Sequence, residues 1–275
     1  MQFIPFRKGD YRGILNVKIP PTPFLKGGLE IIINKIKMQI TKNWFYKLSD
    51  LFSLPLKSKE VPEGGWIFEI IIEDNLIVSF FDDLNKSYNI SIWENSKVEI
   101  FSVLENSEDF KLKILQEKEN SDLKLNYLIL SQNDDKVSAK IESVLKADFV
   151  KSNVKIISIV WNNWAVDLDW IIKIEEGIKK VDWNLSEENI FLWDNWSVKW
   201  IPTLLVSSSD VKASHSCKME RISDEKLFYL RSRWLWRDNA LNMIIEAKIE
   251  NLFSCLRMYD KNFYEKTLES ILVKI

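Results

Sequence analysis

Glycine is scarce in this sequence, 7 of 275 residues, where an ordinary chain carries about 7%. Six of the seven lie at or before Gly65, so Gly177 alone serves the turns of everything after it. Histidine is rarer still. His215 is the only one, which excludes a metal site built on paired histidines. Cys217 and Cys255 are the only cysteines, and they match no disulfide framework. No apolar run approaches the roughly 18 to 20 residues that cross a bilayer. The opening Met-Gln-Phe-Ile-Pro-Phe-Arg-Lys has no signal-peptide layout, so the expected location is cytoplasmic. Neither sign of charge is in excess: a net charge of -2 and a pI near 5.7 offer no basic field to nucleic acid or to a membrane. Gly-x-x-x-x-Gly-Lys-[Ser/Thr] is missing even with every Trp read as Gly, so the chain is not expected to be a P-loop ATPase, and no nucleophile elbow is visible.

What the chain has instead is tryptophan, 12 residues, nine of them at or after Trp161. Five follow Asn or Asp: Asn43-Trp44, Asn163-Trp164, Asp169-Trp170, Asp182-Trp183 and Asn195-Trp196. Those are the places where glycine makes Asn-Gly and Asp-Gly turns, because it accepts positive φ without a Cβ clash. A bulky indole gains nothing there. We read several of these Trp as standing for Gly: a gene that uses UGA for glycine, translated with UGA as tryptophan, leaves this pattern. A UGG codon at Trp164 would overturn that reading.

Residues 1–60 form a short N-terminal segment of unclear role, proline-rich, in which 29–36 is apolar without a deciding period. Pro62-Glu63-Gly64-Gly65 is a turn cluster and a boundary. Short runs rich in Ile, Val, Leu and Phe follow, at 67–72, 76–81, 89–92, 98–103, 111–114, 123–130, 137–141 and 154–160, separated by Asn, Asp, Ser, Glu and Lys. They read as strands. No helix-length amphipathic segment interrupts them, which argues against βαβ units. Three segments align, Trp93-Glu94-Asn95-Ser96-Lys97-Val98, Trp161-Asn162-Asn163-Trp164-Ala165-Val166 and Trp193-Asp194-Asn195-Trp196-Ser197-Val198, each a turn followed by a strand opening at Val. Short strands at a repeating interval fit a parallel β-helix over 61–222; a β-sandwich accounts for the strands almost as well. From Ser223 the period turns helical. Ser223 is placed to cap a first helix with Asp224 and Glu225 in its first turn. A second helix is expected to start at Asp238-Asn239-Ala240 and bury Leu241, Ile244, Ile245, Ile249 and Leu252, and a third to cover 263–271, giving a helical domain over 223–275.

Between strands and helices lies Asp210-Val211-Lys212-Ala213-Ser214-His215, followed after a polar stretch by Leu227-Phe228-Tyr229-Leu230-Arg231-Ser232-Arg233. This resembles the C-terminal signature of the SufB/SufD family of the SUF iron–sulfur cluster assembly machine. In that family an Asp-Val-Lys-x-Ser-His run precedes Leu-Phe-Tyr-Leu-Arg-Ser-Arg-Gly. Upstream, Trp170-Ile171-Ile172-Lys173-Ile174 with Lys179, Lys180 and Asp182 is similar to its Gly-x-Ile-x-Val…Gln-Lys-Thr-Asp segment. Glu188-Asn189-Ile190-Phe191-Leu192 resembles its Asn-Leu-Leu-Leu strand, and Pro202-Thr203-Leu204 its Pro-x-Leu. Trp170 and Trp234 fall on family glycines. Ser216 stands where SufB-like chains have glutamate and Glu187 where they have an essential cysteine, so the likeness is to SufD. His215-Ser216-Cys217-Lys218-Met219-Glu220 departs from the family's His-Gly-Ala-Thr-Val-Gly, and most of its N-terminal helical domain is expected to be missing.

The resemblance implies a right-handed parallel β-helix (β-solenoid) with a C-terminal helical domain. It implies a non-catalytic scaffold component that pairs through its β-helix with a SufB-like subunit, or with a second copy, and docks the SufC ATPase through its C-terminal helices. An iron–sulfur cluster would be held transiently and shared with the partner, and no nucleotide would be bound by this chain. His215 is then the candidate iron ligand, although a lone histidine is by itself a structural or surface residue. Cys217 lies on the same face of a continuing strand; it is either a second ligand or a small packing residue, since the family has alanine there. Leu227, Phe228, Tyr229, Arg231 and Arg233 are the candidate contacts to SufC, and Cys255 a packing residue. Two other readings stand beside this one: a carbohydrate-active β-helix enzyme using acids such as Asp167 and Asp169, and a structural β-solenoid with no cluster role.

Overall fold

The computed structural model describes residues 15–17, 29–32, 35–42, 44–51, 67–83, 86–105, 107, 109–131, 136–160, 164–192 and 196–274. The cluster Pro62-Glu63-Gly64-Gly65, along with Trp66, Trp161 and Trp193, lies outside them. Strands β1 (Leu15–Val17), β2 (Leu29–Ile32), β3 (Lys35–Ile40) and β4 (Trp44–Lys47) come first, followed by the single turn α1 (Leu48–Leu51). The apolar run at 29–36, undecided in sequence, thus supplies β2 and the start of β3. The solenoid proper continues through β5 (Ile67–Ile72), β6 (Ile77–Asp82), β7 (Tyr88–Ile92), β8 (Lys97–Glu105), β9 (Phe110–Gln116) and β10 (Asp122–Ser131). It is completed by β11 (Lys136–Leu145), β12 (Lys151–Val160), β13 (Trp164–Ile174), β14 (Lys179–Phe191), β15 (Trp196–Val206) and β16 (Asp210–Arg221). Four helices close the chain: α2 (Asp224–Arg231), α3 (Arg237–Phe253), α4 (Leu256–Tyr259) and α5 (Lys261–Leu272).

From β3 on, alternate strands belong to alternate sheets. One sheet runs β1-β2-β3-β5-β7-β9-β11-β13-β15 and the other β16-β14-β12-β10-β8-β6-β4. Apart from the antiparallel pairs β1–β2 and β2–β3, every pairing is parallel. The fold is a β-solenoid, mainly β, with C-terminal helices. Strands β3 and β4 extend both sheets to before residue 60. In the seven-stranded sheet Ile77 pairs with Lys97, Lys97 with Asp122, Asp122 with Lys151, Lys151 with Asp182 and Asp182 with Lys212. Successive coils are therefore 20, 25, 29, 31 and 30 residues long, and the solenoid widens toward its C-terminal end.

Two cores hold it. Inside the coils, residues of one parity such as Val137, Ala139 and Ile141 face Val154, Ile156, Val166, Leu168 and Trp170. Fully burying an aliphatic side chain contributes about 1.5–3 kcal/mol, so each added coil brings its own stabilisation. Outside, the C-terminal halves of the seven-stranded sheet's strands are covered by the helices. Phe81, Phe101, Leu128, Leu130, Ile157, Ile159 and Ile190 pack there on Leu227, Leu241, Ile245, Ile249, Leu252 and Phe253. That is why Tyr127-Leu128-Ile129-Leu130 is apolar at both parities: both faces are buried there. The outer face of the nine-stranded sheet is solvated, and Lys136 and Lys140 alternate with buried neighbours. No described helix is long and apolar enough to cross a membrane.

One corner is a ladder of left-handed residues, Asn75, Asn95, Asn120 and Phe149, with φ of 61°, 55°, 56° and 59°. Each backbone N–H donates to the carbonyl of the next coil's corner: Asn75 to Glu94, Asn95 to Glu119, Asn120 to Asp148 and Phe149 to Lys179, at 2.8 to 3.2 Å. Asn suits this conformation, its short polar side chain bonding locally; Asn95 Nδ2 donates to Asn75 Oδ1 at 3.1 Å. This corrects the expected triple repeat. Trp164 and Val166 do pair with Trp196 and Val198, 32 residues on, but Val98 lies in β8 of the other sheet. The true counterparts of the Asn95 turn are those at Asn75 and Asn120.

Candidate functional site at the open end of the solenoid

Strands β15 and β16 each end their sheet, so one edge of each pairs with no other described strand. Ile201, Leu204, Leu205, Val206 and Met219 are exposed along them. His215 lies on β16, exposed, in register with Leu185 of the interior core. It therefore continues the interior column one step past the last complete layer. Its ring meets Trp200 of β15 edge-on, centroids 6.1 Å apart and planes at 74°.

Two residues on, Cys217 shares that face, and its register partner on β14 is Glu187. Glu187 and Asn189 have the parity of Val181, Trp183 and Leu185, whereas Ile190 and Leu192 point the other way into the helices. An acid and an amide thus stand in an apolar column. Asn189 Nδ2 donates to Glu187 Oε1 at 2.6 Å and approaches Cys217 Sγ at 3.7 Å. Burial pushes the Glu187 carboxyl up to about 7, with the Asn189 hydrogen bond acting to lower it. Burial, then the Glu187 charge, raises the Cys217 thiol, again against Asn189. Among the described residues no group of three or more His, Cys, Asp or Glu side chains is placed to hold a metal ion.

On the opposite face of the same strands Lys248 of α3 binds Glu188 Oε1 at 2.7 Å and Glu220 Oε2 at 3.5 Å. Lys218 joins both acids, Glu188 at 2.7 Å, and they raise its proton affinity. This network ties the helices to the two coils that carry His215, Glu187 and Cys217. On α2 Phe228 is 72% and Tyr229 58% exposed, while Leu227 is buried in the helical core. Arg231 and Arg233 are exposed, and Arg233 Nη2 donates to Tyr229 Oη at 2.7 Å across its own turn. Asp167 and Asp169 lie on the solvated outer face of the nine-stranded sheet, tied to lysines of neighbouring strands: Lys136 at 3.1 Å and Lys199 at 3.7 Å for Asp167, Lys140 at 3.7 Å for Asp169. Sequence reasoning did not select Glu187, Asn189 or Trp200 as site residues. For Glu187 the signal was its place at the position of the SufB-like cysteine; for Trp200 it was a bulky residue two after Val198 on the same strand face, and Asn189 carried none.

Parallel two-sheet coils, a wide end where His215 lies on a strand whose outer edge pairs with no other described strand, and a helical layer on one face define a class. Residues 85–248 match the family described as SUF system FeS cluster assembly, SufBD core domain, and the chain belongs to that family. Among named relatives it is similar to the iron-sulfur cluster assembly protein SufD of Escherichia coli (strain K12), 28% identical over 153 residues. The aligned part is 56% of this chain and 36% of that protein.

Proposed function

We propose that the chain works in SUF iron–sulfur cluster assembly as a SufD-like, non-catalytic scaffold component in the cytoplasm. It pairs with a SufB-like subunit through the uncovered edges of β15 and β16. The observation that carries this is the position of His215, exposed on an edge strand beside Trp200 and continuous with the interior column, where a second β-solenoid would bring ligands to it. A free edge of this length otherwise invites uncontrolled pairing. The nascent cluster is the cargo, with His215 as its ligand from this side and Cys217 as a weaker second donor. A SufC-type ATPase docks on the exposed Phe228 and Tyr229 with Arg231 and Arg233 around them, and the Lys248 network connects that surface to the site.

Co-expression with SufB- and SufC-type partners tests the reading. All three are expected to co-purify, and His215→Ala is expected to leave the assembly intact while cutting cluster delivery to an acceptor apoprotein. An intact assembly with unchanged delivery would remove His215 from the site, and no co-purification would remove the scaffold reading.

A further inference from the structure

We propose that the outer face of β6, β8 and β10 carries a binding site for a small zwitterion, an α-amino acid, built on Lys97, Glu99, Asp122 and Lys124. A cavity of about 170 Å³ opens there, with Tyr259 of α4 and Ile77 in its walls. Register sets its floor: Lys97 stands beside Asp122, and Glu99 beside Lys124. Residues two apart on a strand share a face, so the four charges alternate in sign both along and across the strands. On the nine-stranded sheet, register neighbours of opposite charge pair with each other, Lys113 with Glu142 at 3.3 Å and Lys140 with Asp169 at 3.7 Å. Here Lys97, Asp122 and Lys124 enter no ion pair among the described residues.

Glu99 is the anchor. It is 9% exposed, and its carboxylate accepts from Tyr259 Oη at 3.1 Å and from Asn126 Nδ2 at 3.4 Å. Those neutral donors fix its position and leave its charge in place. A charge-assisted bond to an ammonium gains strength where water is largely excluded. Two lysines and two acids then decide the class of ligand. A simple anion meets Glu99 and Asp122, a simple cation meets Lys97 and Lys124, and a neutral molecule answers none of the four. A molecule with ammonium and carboxylate on one carbon answers both signs: the ammonium at Glu99, the carboxylate toward Lys124 and Lys97, which flank Glu99 across the sheet and along the strand. Pockets for drug-sized ligands run to about 300–1,000 Å³, so the ligand's side chain is short. The exposed Ile77 beside it favours an apolar one. Strands β12 and β14 separate this floor from β16, so the site stands apart from the open end and needs no partner subunit.

The test is an isothermal titration of the purified full chain with L-alanine, with propionate and ethylamine as its single-charge counterparts. L-Alanine is expected to bind saturably at one site per chain, at least about tenfold more tightly than either counterpart. Glu99→Gln and, separately, Lys124→Gln are each expected to weaken it at least about tenfold, the loss of one charge-assisted bond. Lys199→Gln on the other sheet leaves binding unchanged. Lys124 is exposed, so its variant carries the test even where loss of the buried Glu99 charge disturbs folding. The proposal is overturned by the lack of saturable binding of L-alanine, by propionate or ethylamine binding as tightly, or by indifference to Lys124→Gln. The experiment uses this chain alone, so its failure leaves the co-purification result untouched, and the reverse.

Discussion

A carboxyl with a pKa near 7 on the wall of an apolar column makes stability depend on pH in a definite sense. Folding raises the Glu187 pKa from 4.5 to about 7, so the native chain binds more protons than the unfolded one between those values. The contribution is fully present below about pH 4.5 and is lost as pH rises through about 7. In chelator-treated protein Glu187→Gln is therefore expected to raise stability at pH 8 by up to about 3 kcal/mol. The gain should shrink toward zero as the pH is lowered to 4.5, read by urea unfolding at each pH. A gain that does not vary with pH would show the carboxyl is not the cause. His215 was legible from its rarity and its motif. Glu187 and Asn189 were not, because Asn184, Ser186 and Glu188 are polar as well, and alternation cannot be read where both parities are polar.

At the scale of elements, α2 ends on a conformation that its residue does not favour. Trp234 has φ 68° and is 96% exposed, with its N–H on the Arg231 carbonyl at 3.0 Å. Left-handed backbone costs a non-glycine residue about 1–2 kcal/mol, so Trp234→Gly is expected to stabilise by about 1 kcal/mol, seen as a higher melting temperature. If Trp stands for Gly in this chain, peptides from the natural source covering 162–169 and 234 carry the mass of glycine; tryptophan masses at both would end that idea. Trp170 and Trp183, by contrast, lie fully buried with Nε1 lacking a partner. Strand positions were legible from their Ile and Val runs. The second and third helices were legible from period, observed at Arg237–Phe253 and Lys261–Leu272. Sheet assignment was not legible, because the Asn-containing stretches that precede β8, β13 and β15 read alike in sequence although β8 lies in one sheet and β13 and β15 in the other.

For the whole molecule, the exposed edge of the last coil sets behaviour in solution. Without a SufB-like partner the chain is expected to self-associate through β15 and β16. Leu205→Lys, which places a charge on that edge, should shift light-scattering mass toward the monomer. An unchanged mass distribution would place the contact elsewhere. The widening coils add a constraint on what such association can build. Strands lengthen from four residues in β4 to 13 in β14 and 12 in β16, and the opposite end of the nine-stranded sheet finishes in antiparallel β1 and β2. The two ends of the cone differ in circumference and in strand direction, so one copy cannot seat its narrow end on the wide end of the next. Head-to-tail growth into a fibre, the usual hazard of an uncapped solenoid, is blocked by shape, and wide end against wide end gives a pair that closes on itself.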